Sequence, residues 1–186
     1  MKRYIIKTLG CKVNQCESEG IGNALVESGR AVPAAEDEPA DVVIINTCTV
    51  TGKAGMQSRQ AVRQAVRSHP GARILVTGCH AQTAPGELTG IDGVDRVIGN
   101  ADKHRIPQML AGDNRRPSND EARTVCCADA GAIDRFQVIP GIAHGSRTRP
   151  FLKIQDGCNA FCTYCIVPHA RGRSRSLPVD QVLQQI

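Results

Sequence analysis

Three cysteines lie close together near the end of the chain, in the stretch CNAFCTYC. Cys158 is followed by Cys162 after three intervening residues, and Cys165 follows after two more. Thiolates at such spacing are ligands for zinc or for an iron–sulfur cluster. A closed structural zinc site normally has four ligands, so the identity of the fourth ligand distinguishes two chemistries.

Two interpretations of this loop are open. In the first, His169 completes a zinc site, because it follows Cys165 after three intervening residues. In the second, the loop holds a [4Fe–4S] cluster in which one iron has no protein ligand and can bind a substrate or cofactor. Pro168 stands between the last cysteine and His169, and the flanks are typical of a strand-to-helix connection in an α/β barrel. Both features favour the cluster.

A second set of three cysteines is dispersed through the first half of the chain. Cys11, Cys48 and Cys79 each follow a short apolar run that predicts a β-strand. Because the carboxyl ends of parallel strands meet at one edge of a sheet, we expect the three thiols to converge there. Gly10 and Gly78 precede two of them and allow sharp turns near a ligand. Three buried structural cysteines are the alternative, and the shared position at strand ends favours a metal or cluster site.

The remaining cysteines are predicted not to be ligands. Cys16 falls within the helix that follows Cys11 and is interpreted as incidental. Cys126 and Cys127 are adjacent, and neighbouring residues rarely both bind one ion, so unliganded thiols are favoured there. The total of nine is odd and nothing marks export, so metal binding or redox chemistry is favoured over disulfides.

The elements that must position these cysteines alternate between apolar runs and helical patterns. Helices are predicted at roughly 16–29, 53–68 and 101–111. Continuously apolar runs are typical of strands that are buried on both faces of a sheet. The alternation predicts βαβ units, and hence an α/β domain with an open parallel sheet of the Rossmann or flavodoxin type over residues 1–111. The predicted strand runs are YIIKTLG, DVVIINTC, RILVTGC and GVDRVIG.

The second half of the chain is organised differently. Residues 112–149 are polar and poorly periodic, which predicts a linker. The apolar run PFLKIQ then leads into the Cys158 loop and predicts the beginning of another domain over residues 150–186. The closing text SLPVDQVLQQI predicts a helix that begins near Pro178 and has no C-terminal stop signal. We therefore expect the chain to be cut off in the first helix of that domain.

Charge and hydropathy limit the classes of partner. The net charge of +5, from 23 basic and 18 acidic residues, weakly favours a polyanion such as RNA. No run of 18 apolar residues occurs, which predicts that the chain does not span a membrane, and the N-terminal apolar text is too short for a signal peptide. A cytoplasmic location is therefore predicted. In one loop, Arg171, Arg173 and Arg175 could meet phosphates or a carboxylate, and a solvated loop is equally compatible. Along one helix, Arg59, Arg63 and Arg67 share a face, for which exposure to solvent is favoured over a nucleic-acid site.

These motifs resemble those of a known family, the radical S-adenosylmethionine methylthiotransferases. The pattern C-x3-C-x-aromatic-C, with Tyr164 in the aromatic position, is similar to the signature of radical S-adenosylmethionine enzymes. The texts KTLGCKVNQCESE, VVIINTCTVT and VTGCHAQ resemble the N-terminal domain of the methylthiotransferases, and FLKIQDGCNAFCTYCIVPHARGRSRS resembles their cluster loop. The resemblance covers about residues 1–111 and 150–186.

The first two of those texts are most similar to the branch that modifies N6-threonylcarbamoyladenosine next to the anticodon of tRNA. Other branches modify isopentenyladenosine in tRNA or an aspartate of a ribosomal protein. The resemblance implies radical chemistry that inserts sulfur and methyl at C2 of the adenine. It also implies tRNA and an electron donor of the reductase or flavodoxin type as partners, with no role for a membrane or DNA. A structural zinc or iron–sulfur module is the alternative from another class.

The resemblance implies two [4Fe–4S] clusters and S-adenosylmethionine as cofactors, with Tyr164 approaching the adenine moiety of the latter. Its ligand sets are Cys11, Cys48 and Cys79 for an auxiliary cluster, and Cys158, Cys162 and Cys165 for the radical cluster. The family continues into a nearly complete β/α barrel and an RNA-binding TRAM domain, of which this chain holds only the beginning of the barrel. We therefore expect the chain by itself to be inactive.

Overall fold

A six-stranded parallel sheet forms the centre of the protein. The structure, a computed structural model, describes residues 1–35, 38–110, 124–139 and 151–186. The strands are β1 (Lys2–Thr8), β2 (Ala31–Pro33), β3 (Val42–Thr47), β4 (Arg73–Gly78), β5 (Arg96–Ile98) and β6 (Thr124–Cys126). They lie in the order β2-β1-β3-β4-β5-β6, and every neighbouring pair is parallel. The predicted α/β class with an open parallel sheet is confirmed.

Helices follow the strands along the chain. They are α1 (Lys12–Glu27), α2 (Gly52–Ser68), α3 (Cys79–Thr83), α4 (Pro85–Thr89), α5 (Ile106–Met109), α6 (Val167–Arg171) and α7 (Val179–Gln184), with 3-10 turns at Lys103–Arg105 and Ala130–Ala132. No described helix has the length and the apolar composition needed to cross a membrane.

The hydrophobic core has one cluster on each face of the sheet. On one face, Ile44 of β3 packs with Ile21 and Leu25 of α1. On the other face, Ile45 packs with Val62 of α2. Successive residues of β3 thus point into opposite clusters, which explains why its sequence is continuously apolar rather than alternating.

The second predicted helix is confirmed, whereas the first begins earlier than predicted. Thr51 caps α2, because its side-chain oxygen accepts a hydrogen bond from the backbone N–H of Ala54 at 3.1 Å. Helix α1 begins at Lys12 rather than near residue 16, directly after Cys11. Cys11 makes no side-chain capping bond, so no N-cap residue marked this start in the sequence. The third helical prediction, at 101–111, corresponds to a 3-10 turn followed by the short α5.

Two edge strands were not predicted. Both β2 and β6 are three residues long, and they lie next to β1 and β5 respectively. Strand β6 lies within the stretch predicted to be a linker, so the sheet takes up residues beyond position 111. Residues 112–123 and 140–149 of that stretch lie outside the described residues. The division into domains stays a prediction.

The segment that carries the second cysteine set begins with less strand than predicted. Of the described residues 151–155 in the run PFLKIQ, only Gln155 is in a strand, β7 (Gln155–Asp156), which pairs antiparallel with β8 (Arg175–Ser176). A barrel of the predicted kind has parallel strands, so within residues 151–186 its beginning is not seen, and it stays a prediction. The predicted C-terminal helix is confirmed as α7, which Pro178 precedes.

Candidate functional site

The three dispersed cysteines line one cavity at the carboxyl edge of the sheet. Cys11 lies at the start of α1, Cys48 follows β3 directly, and Cys79 is the first residue after β4. A cavity of about 260 Å³ is lined by all three cysteines and also by Asp156 and Arg171. Cys48 and Cys79 are each only 4% exposed, so their thiols are held within the protein and yet reach this cavity. The predicted convergence is therefore present in the structure.

Two glycines permit the tight turns that lead to these cysteines. Gly10 has φ of 93° and Gly78 has φ of 101°, a region that disfavours residues with a Cβ. A Cβ on Gly10 would lie 2.6 Å from the Sγ atom of Cys48. A Cβ on Gly78 would overlap the carbonyl oxygen of Thr47 and lie 2.6 Å from Oδ1 of Asn46. Both positions need glycine so that adjacent strand ends can approach each other.

We expect Gly78→Ala to lower the free energy of unfolding by about 1–3 kcal/mol, because it combines backbone strain with steric overlap. Urea unfolding followed by circular dichroism measures the change. The control is Gly71→Ala, since a Cβ there would have no atom within 4 Å. The control should change the free energy by less than about 0.5 kcal/mol. Equal effects of the two substitutions would contradict the conclusion.

Buried polar side chains fix the turns around Cys48. The hydroxyl of Ser58 accepts a hydrogen bond from the backbone N–H of Cys48 at 3.0 Å and donates one to its carbonyl at 2.8 Å. Asn14 donates from Nδ2 to the carbonyls of Leu9, at 2.8 Å, and Thr47, at 3.0 Å. Neither Ser58 nor Asn14 was identified from the sequence. Ser58 lies on the apolar face of α2. A small polar residue among the apolar positions of a predicted helix is the sequence feature by which Ser58 could have been identified.

Cys79 is linked to the segment that carries the second cysteine set. Nδ2 of Asn100 lies 3.7 Å from the Sγ atom of Cys79 and donates a hydrogen bond to the carbonyl of Ala170 at 2.7 Å. Ala170 belongs to α6, which follows the CNAFCTYC loop. Asn100 therefore contacts both the first cysteine set and the element beside the second. It was not identified from the sequence, where it stands in no recognisable motif.

The second cysteine set lies on a more open loop. Cys162 is exposed, whereas Cys158 and Cys165 are half-buried. The loop is closed by backbone bonds, including one from the N–H of Cys158 to the carbonyl of Gly172 at 3.1 Å. Tyr164, predicted to approach a cofactor, is 89% exposed.

His169, the alternative zinc ligand, is exposed and contacts the edge of the Phe161 ring, with 6.0 Å between the ring centroids. In the part of the chain that the structure describes, no three His, Cys, Asp or Glu side chains are close enough together to hold a single metal ion. A single zinc ion holds each thiolate at about 2.3 Å, which would require such a group. A four-iron cluster is larger, and its cysteine ligands are farther apart.

The donor set around the 260 Å³ cavity suits the implied cluster. Three soft thiols reach the cavity, and thiolates are the preferred ligands of iron–sulfur clusters. The charged groups that line the cavity are engaged with each other, because Arg171 donates from Nη1 to Oδ1 of Asp156 at 3.0 Å. The residues present therefore suit a cluster with three protein ligands.

Two of the other described cysteines, Cys16 and Cys127, make hydrogen bonds outside the cavity. The thiol of Cys16 donates to the carbonyl of Phe151 at 3.3 Å, and burial raises its pKa. The thiol of Cys127 donates to the carbonyl of Ala81 at 3.4 Å, and burial raises its pKa to about 11. Both side chains are therefore protonated thiols at neutral pH, and they provide internal controls for the proposed ligands.

The arginines of the ARGRSRS loop contact protein groups. Arg171 is buried and pairs with Glu17 and Asp156, so of the two partners considered for it, the carboxylate is the one observed. Arg175 lies 3.7 Å from Asp156, and Arg173 lies over the ring of Phe161. On α2 the Arg59 side chain pairs with Glu87 at 2.8 Å, while Arg63 and Arg67 are exposed.

Buried charges lie beside the cysteine edge. Burial alone would raise the pKa of Glu17, but the charges of Lys103, Arg171 and Lys153 outweigh it and hold this pKa well below its ordinary value. Burial likewise raises the pKa of Asp156, and Arg171 and Lys153 reverse that effect to a net lowering. Burial lowers the pKa of Lys103, and the charge of Glu17 only partly offsets this lowering. The surroundings of the first set thus carry more positive than negative side chains.

We expect acid to destabilise the protein through Glu17 and Asp156. A carboxylate whose pKa is lowered in the folded state stabilises it fully above its unfolded pKa, and that contribution is lost as the pH falls through the folded pKa. The free energy of unfolding should therefore fall from about pH 4.5 downwards. At pH 7 the effect of Glu17→Gln should fall on the contacts with Lys153 and Arg171, because these buried cations are left unpaired.

Urea unfolding at a series of pH values measures the acid dependence. Glu17→Gln should also have a flatter acid dependence than the unsubstituted protein. An acid dependence as steep in Glu17→Gln as in the unsubstituted protein would contradict this assignment. Glu38→Gln is the matched control, because Glu38 is a partly exposed carboxylate that lies 3.7 Å from Arg3.

Comparison with known proteins places the first cysteine set within a described family. The model for Uncharacterized protein family UPF0004 matches residues 3–99, which include Cys11, Cys48 and Cys79 and end before Cys158. The chain is 42% identical to the threonylcarbamoyladenosine tRNA methylthiotransferase MtaB of Bacillus subtilis, over 100% of this chain and 40% of that protein.

Two further relatives carry other names. A tRNA-2-methylthio-N(6)-dimethylallyladenosine synthase of Aromatoleum aromaticum is 33% identical over 100% of this chain and 41% of its own length. The ribosomal protein uS12 methylthiotransferase RimO of Chloroflexus aurantiacus is 32% identical over 98% of this chain and 42% of its own length. The chain thus spans about two fifths of the length of these relatives.

Proposed function

We propose a function for this chain on the premise that it belongs to family UPF0004, the N-terminal domain family of the methylthiotransferases. The proposed reaction is methylthiolation at C2 of N6-threonylcarbamoyladenosine next to the anticodon of tRNA, in a protein that contains this chain. The observation that carries the proposal is the convergence of Cys11, Cys48 and Cys79 on one cavity, beside the segment that bears the second set.

The substrate is proposed from the relatives. MtaB proteins of Bacillus subtilis and Aquifex aeolicus are 42% and 37% identical to this chain, and their name specifies threonylcarbamoyladenosine tRNA. Relatives named for dimethylallyladenosine tRNA or for ribosomal protein uS12 are 33% and 32% identical. The higher identities favour threonylcarbamoyladenosine, and tRNA is accordingly the proposed partner. An electron donor and a cytoplasmic location belong to the same proposal.

Two [4Fe–4S] clusters and S-adenosylmethionine are the proposed cofactors. The proposed ligands are Cys11, Cys48 and Cys79 for one cluster and Cys158, Cys162 and Cys165 for the other, with Tyr164 beside the S-adenosylmethionine. When bound, these groups supply the cleavage of S-adenosylmethionine and the sulfur and methyl that are transferred.

The protein's own contribution to the proposed site is positioning. Ser58 fixes the backbone of Cys48, and Asn100 offers an amide N–H to the sulfur of Cys79. Hydrogen bonds of this kind, made to the ligands rather than to the cluster, set the orientation of cluster ligands and influence the reduction potential of the cluster that those ligands hold. The burial of Cys48 and Cys79 also limits the access of water to this part of the site.

A structural zinc module is the second candidate, and the spacing between Cys165 and His169 favours it.

The experiment that tests the proposed function uses a full-length protein that carries this chain, loaded anaerobically with iron and sulfide. It is incubated with S-adenosylmethionine, a reductant and tRNA that contains either N6-threonylcarbamoyladenosine or isopentenyladenosine. We expect a methylthio product from the first tRNA only.

The other outcomes separate the alternatives. A product from the isopentenyladenosine tRNA alone would contradict the proposed substrate. A protein that yields no product and retains zinc in place of iron would contradict the proposed enzyme and support the structural module.

A further inference from the structure

We propose that Glu17 is a positioning residue for the two cysteine sets. Its buried carboxylate holds the segment that carries Cys158, Cys162 and Cys165 against the sheet edge that carries Cys11, Cys48 and Cys79. The inference rests on the proposed function, because positioning matters when both sets take part in one reaction. The physical contact, however, can be tested without that function.

Both oxygens of Glu17 bind cations from the cysteine-loop segment. Oε1 lies 2.6 Å from Nζ of Lys153 and 2.9 Å from Nη1 of Arg171. Oε2 lies 3.3 Å from Nη2 of Arg171. Arg171 therefore meets this carboxylate with two nitrogens, an arrangement that fixes direction as well as distance.

On the sheet side, the same carboxylate is anchored by Lys103. Nζ of Lys103 lies 2.6 Å from Oε2 of Glu17 and 3.2 Å from Oδ1 of Asn46. The Lys103 side chain is almost completely buried, so solvent does not screen its charge. Asn46 belongs to β3 and stands two positions before Cys48. Glu17 is thus fixed to the strand end that presents a cysteine of the first set.

The network continues to the turn that precedes Cys11. Arg171 donates from Nη2 to Oδ1 of Asn14 at 2.7 Å. Asn14 in turn holds the carbonyls of Leu9, two residues before Cys11, and of Thr47, directly before Cys48. Arg171 therefore contacts the same polar layer that shapes the first cysteine set.

The contacts reach both ends of the cysteine loop. Asp156 precedes Cys158 by two residues and accepts hydrogen bonds from Arg171 at 3.0 Å and from Lys153 at 2.7 Å. Arg171 follows Cys165 by six residues. Because Glu17 binds both cations, it fixes the two stems from which the loop projects.

Charge balance makes Glu17 the critical member of the cluster. Two carboxylates, Glu17 and Asp156, face the cations of Lys103, Lys153 and Arg171, and Arg175 lies 3.7 Å from Asp156. Removing the charge of Glu17 leaves Asp156 alone against these cations in a buried setting. Repulsion and the cost of unpaired buried charge then favour separation of the segment from the sheet edge.

The segment that carries the second cysteine set also makes close contacts that involve no charged side chain. Asn100 donates to the carbonyl of Ala170, and a Cβ on Gly172 would overlap the carbonyl oxygen of Ala130. These contacts act on α6 and on the residue after it, whereas the ion cluster also holds the stem before Cys158 through Lys153 and Asp156. A selective effect of Glu17 on the loop segment is therefore expected, rather than a uniform loss of stability.

Hydrogen–deuterium exchange of the 186-residue chain tests the contact without any cofactor. In Glu17→Gln we expect amides of residues 155–176 to exchange about tenfold faster, with amides of β3 and β4 unchanged. Lys153→Met removes a cation that belongs to the segment itself, so it leaves the sheet domain intact, and it should give a smaller effect confined to the same residues. Glu38→Gln is the matched control and should change neither region.

A charge-restoring variant separates electrostatic positioning from packing. In Glu17→Gln combined with Lys103→Met, the number of buried positive charges falls by one, and exchange of residues 155–176 should return towards that of the unsubstituted chain. Two outcomes would overturn the proposal. One is unchanged exchange of this segment in both Glu17→Gln and Lys153→Met. The other is equal acceleration of β3, β4 and the segment in both variants, which would make Glu17 a stabilising residue only.

Kinetics of the loaded full-length protein provide the functional part of the test. Glu17→Gln should lower kcat by about tenfold and leave the KM for tRNA unchanged, since the two cysteine sets are misplaced while tRNA contacts are kept. A raised KM with unchanged kcat would overturn the positioning role. A full-length protein that is inactive even without substitution would refute the proposed function, whereas the exchange result would still stand.

Discussion

Replacement of Cys48 by alanine should remove about half of the iron that the chain binds after anaerobic reconstitution, roughly four atoms of eight. Cys48 is buried at the cavity that the first cysteine set lines, and Ser58 holds its backbone in place. With Cys48 gone, only two thiols of the first set reach that cavity. We therefore expect the cluster proposed there to be lost while the one at the second set stays. Iron and acid-labile sulfide analysis measures the loss.

The chain contains its own controls for this experiment. Cys16 and Cys127 are half-buried thiols with hydrogen bonds to backbone carbonyls outside the cavity. Cys16→Ala and Cys127→Ala should retain the full iron content. If either lost as much iron as Cys48→Ala, the assignment of the first set would be wrong.

Replacement of Cys162 by alanine should abolish the cleavage of S-adenosylmethionine in the loaded full-length protein. Cys162 lies on the exposed loop of the second set, outside the cavity lined by the first. Its loss should therefore remove the second cluster and leave the first. We expect formation of 5′-deoxyadenosine to fall to background, while the iron of the first set is retained.

His169→Ala is the matched comparison, because it tests the zinc alternative on the same loop. His169 is exposed and contacts Phe161, so its replacement should leave both iron content and cleavage near the level of the unsubstituted protein. A loss in His169→Ala as complete as that in Cys162→Ala would identify His169 as a ligand and contradict an open three-cysteine site.

The convergence of the first cysteine set could be predicted because it depends on local patterns. Strands β3 and β4 are buried on both faces, and their apolar runs end directly before Cys48 and Cys79. Once the runs are recognised as parallel strands, the common edge follows from topology. The strands β2 and β6 could not be predicted, because three residues give little periodic signal and their place depends on a neighbour.

The ion cluster could not be predicted, because its partners are distant in sequence. Glu17 lies in the text CESE, which is compatible with an exposed helix face, yet its partners Lys103, Lys153 and Arg171 are 86, 136 and 154 residues away. Its burial is decided by how the loop segment packs on the sheet edge. For the same reason, the sequence of the ARGRSRS loop left solvent, phosphate and carboxylate partners open.

Mass spectrometry of tRNA nucleosides from cells that lack the gene tests the proposed function most directly. In a host with no second enzyme of this kind, we expect 2-methylthio-N6-threonylcarbamoyladenosine to disappear and N6-threonylcarbamoyladenosine to accumulate. The unsubstituted gene should restore the methylthio nucleoside, and the gene with Cys48→Ala should not. Unchanged 2-methylthio-N6-threonylcarbamoyladenosine in the deletion strain would contradict the account.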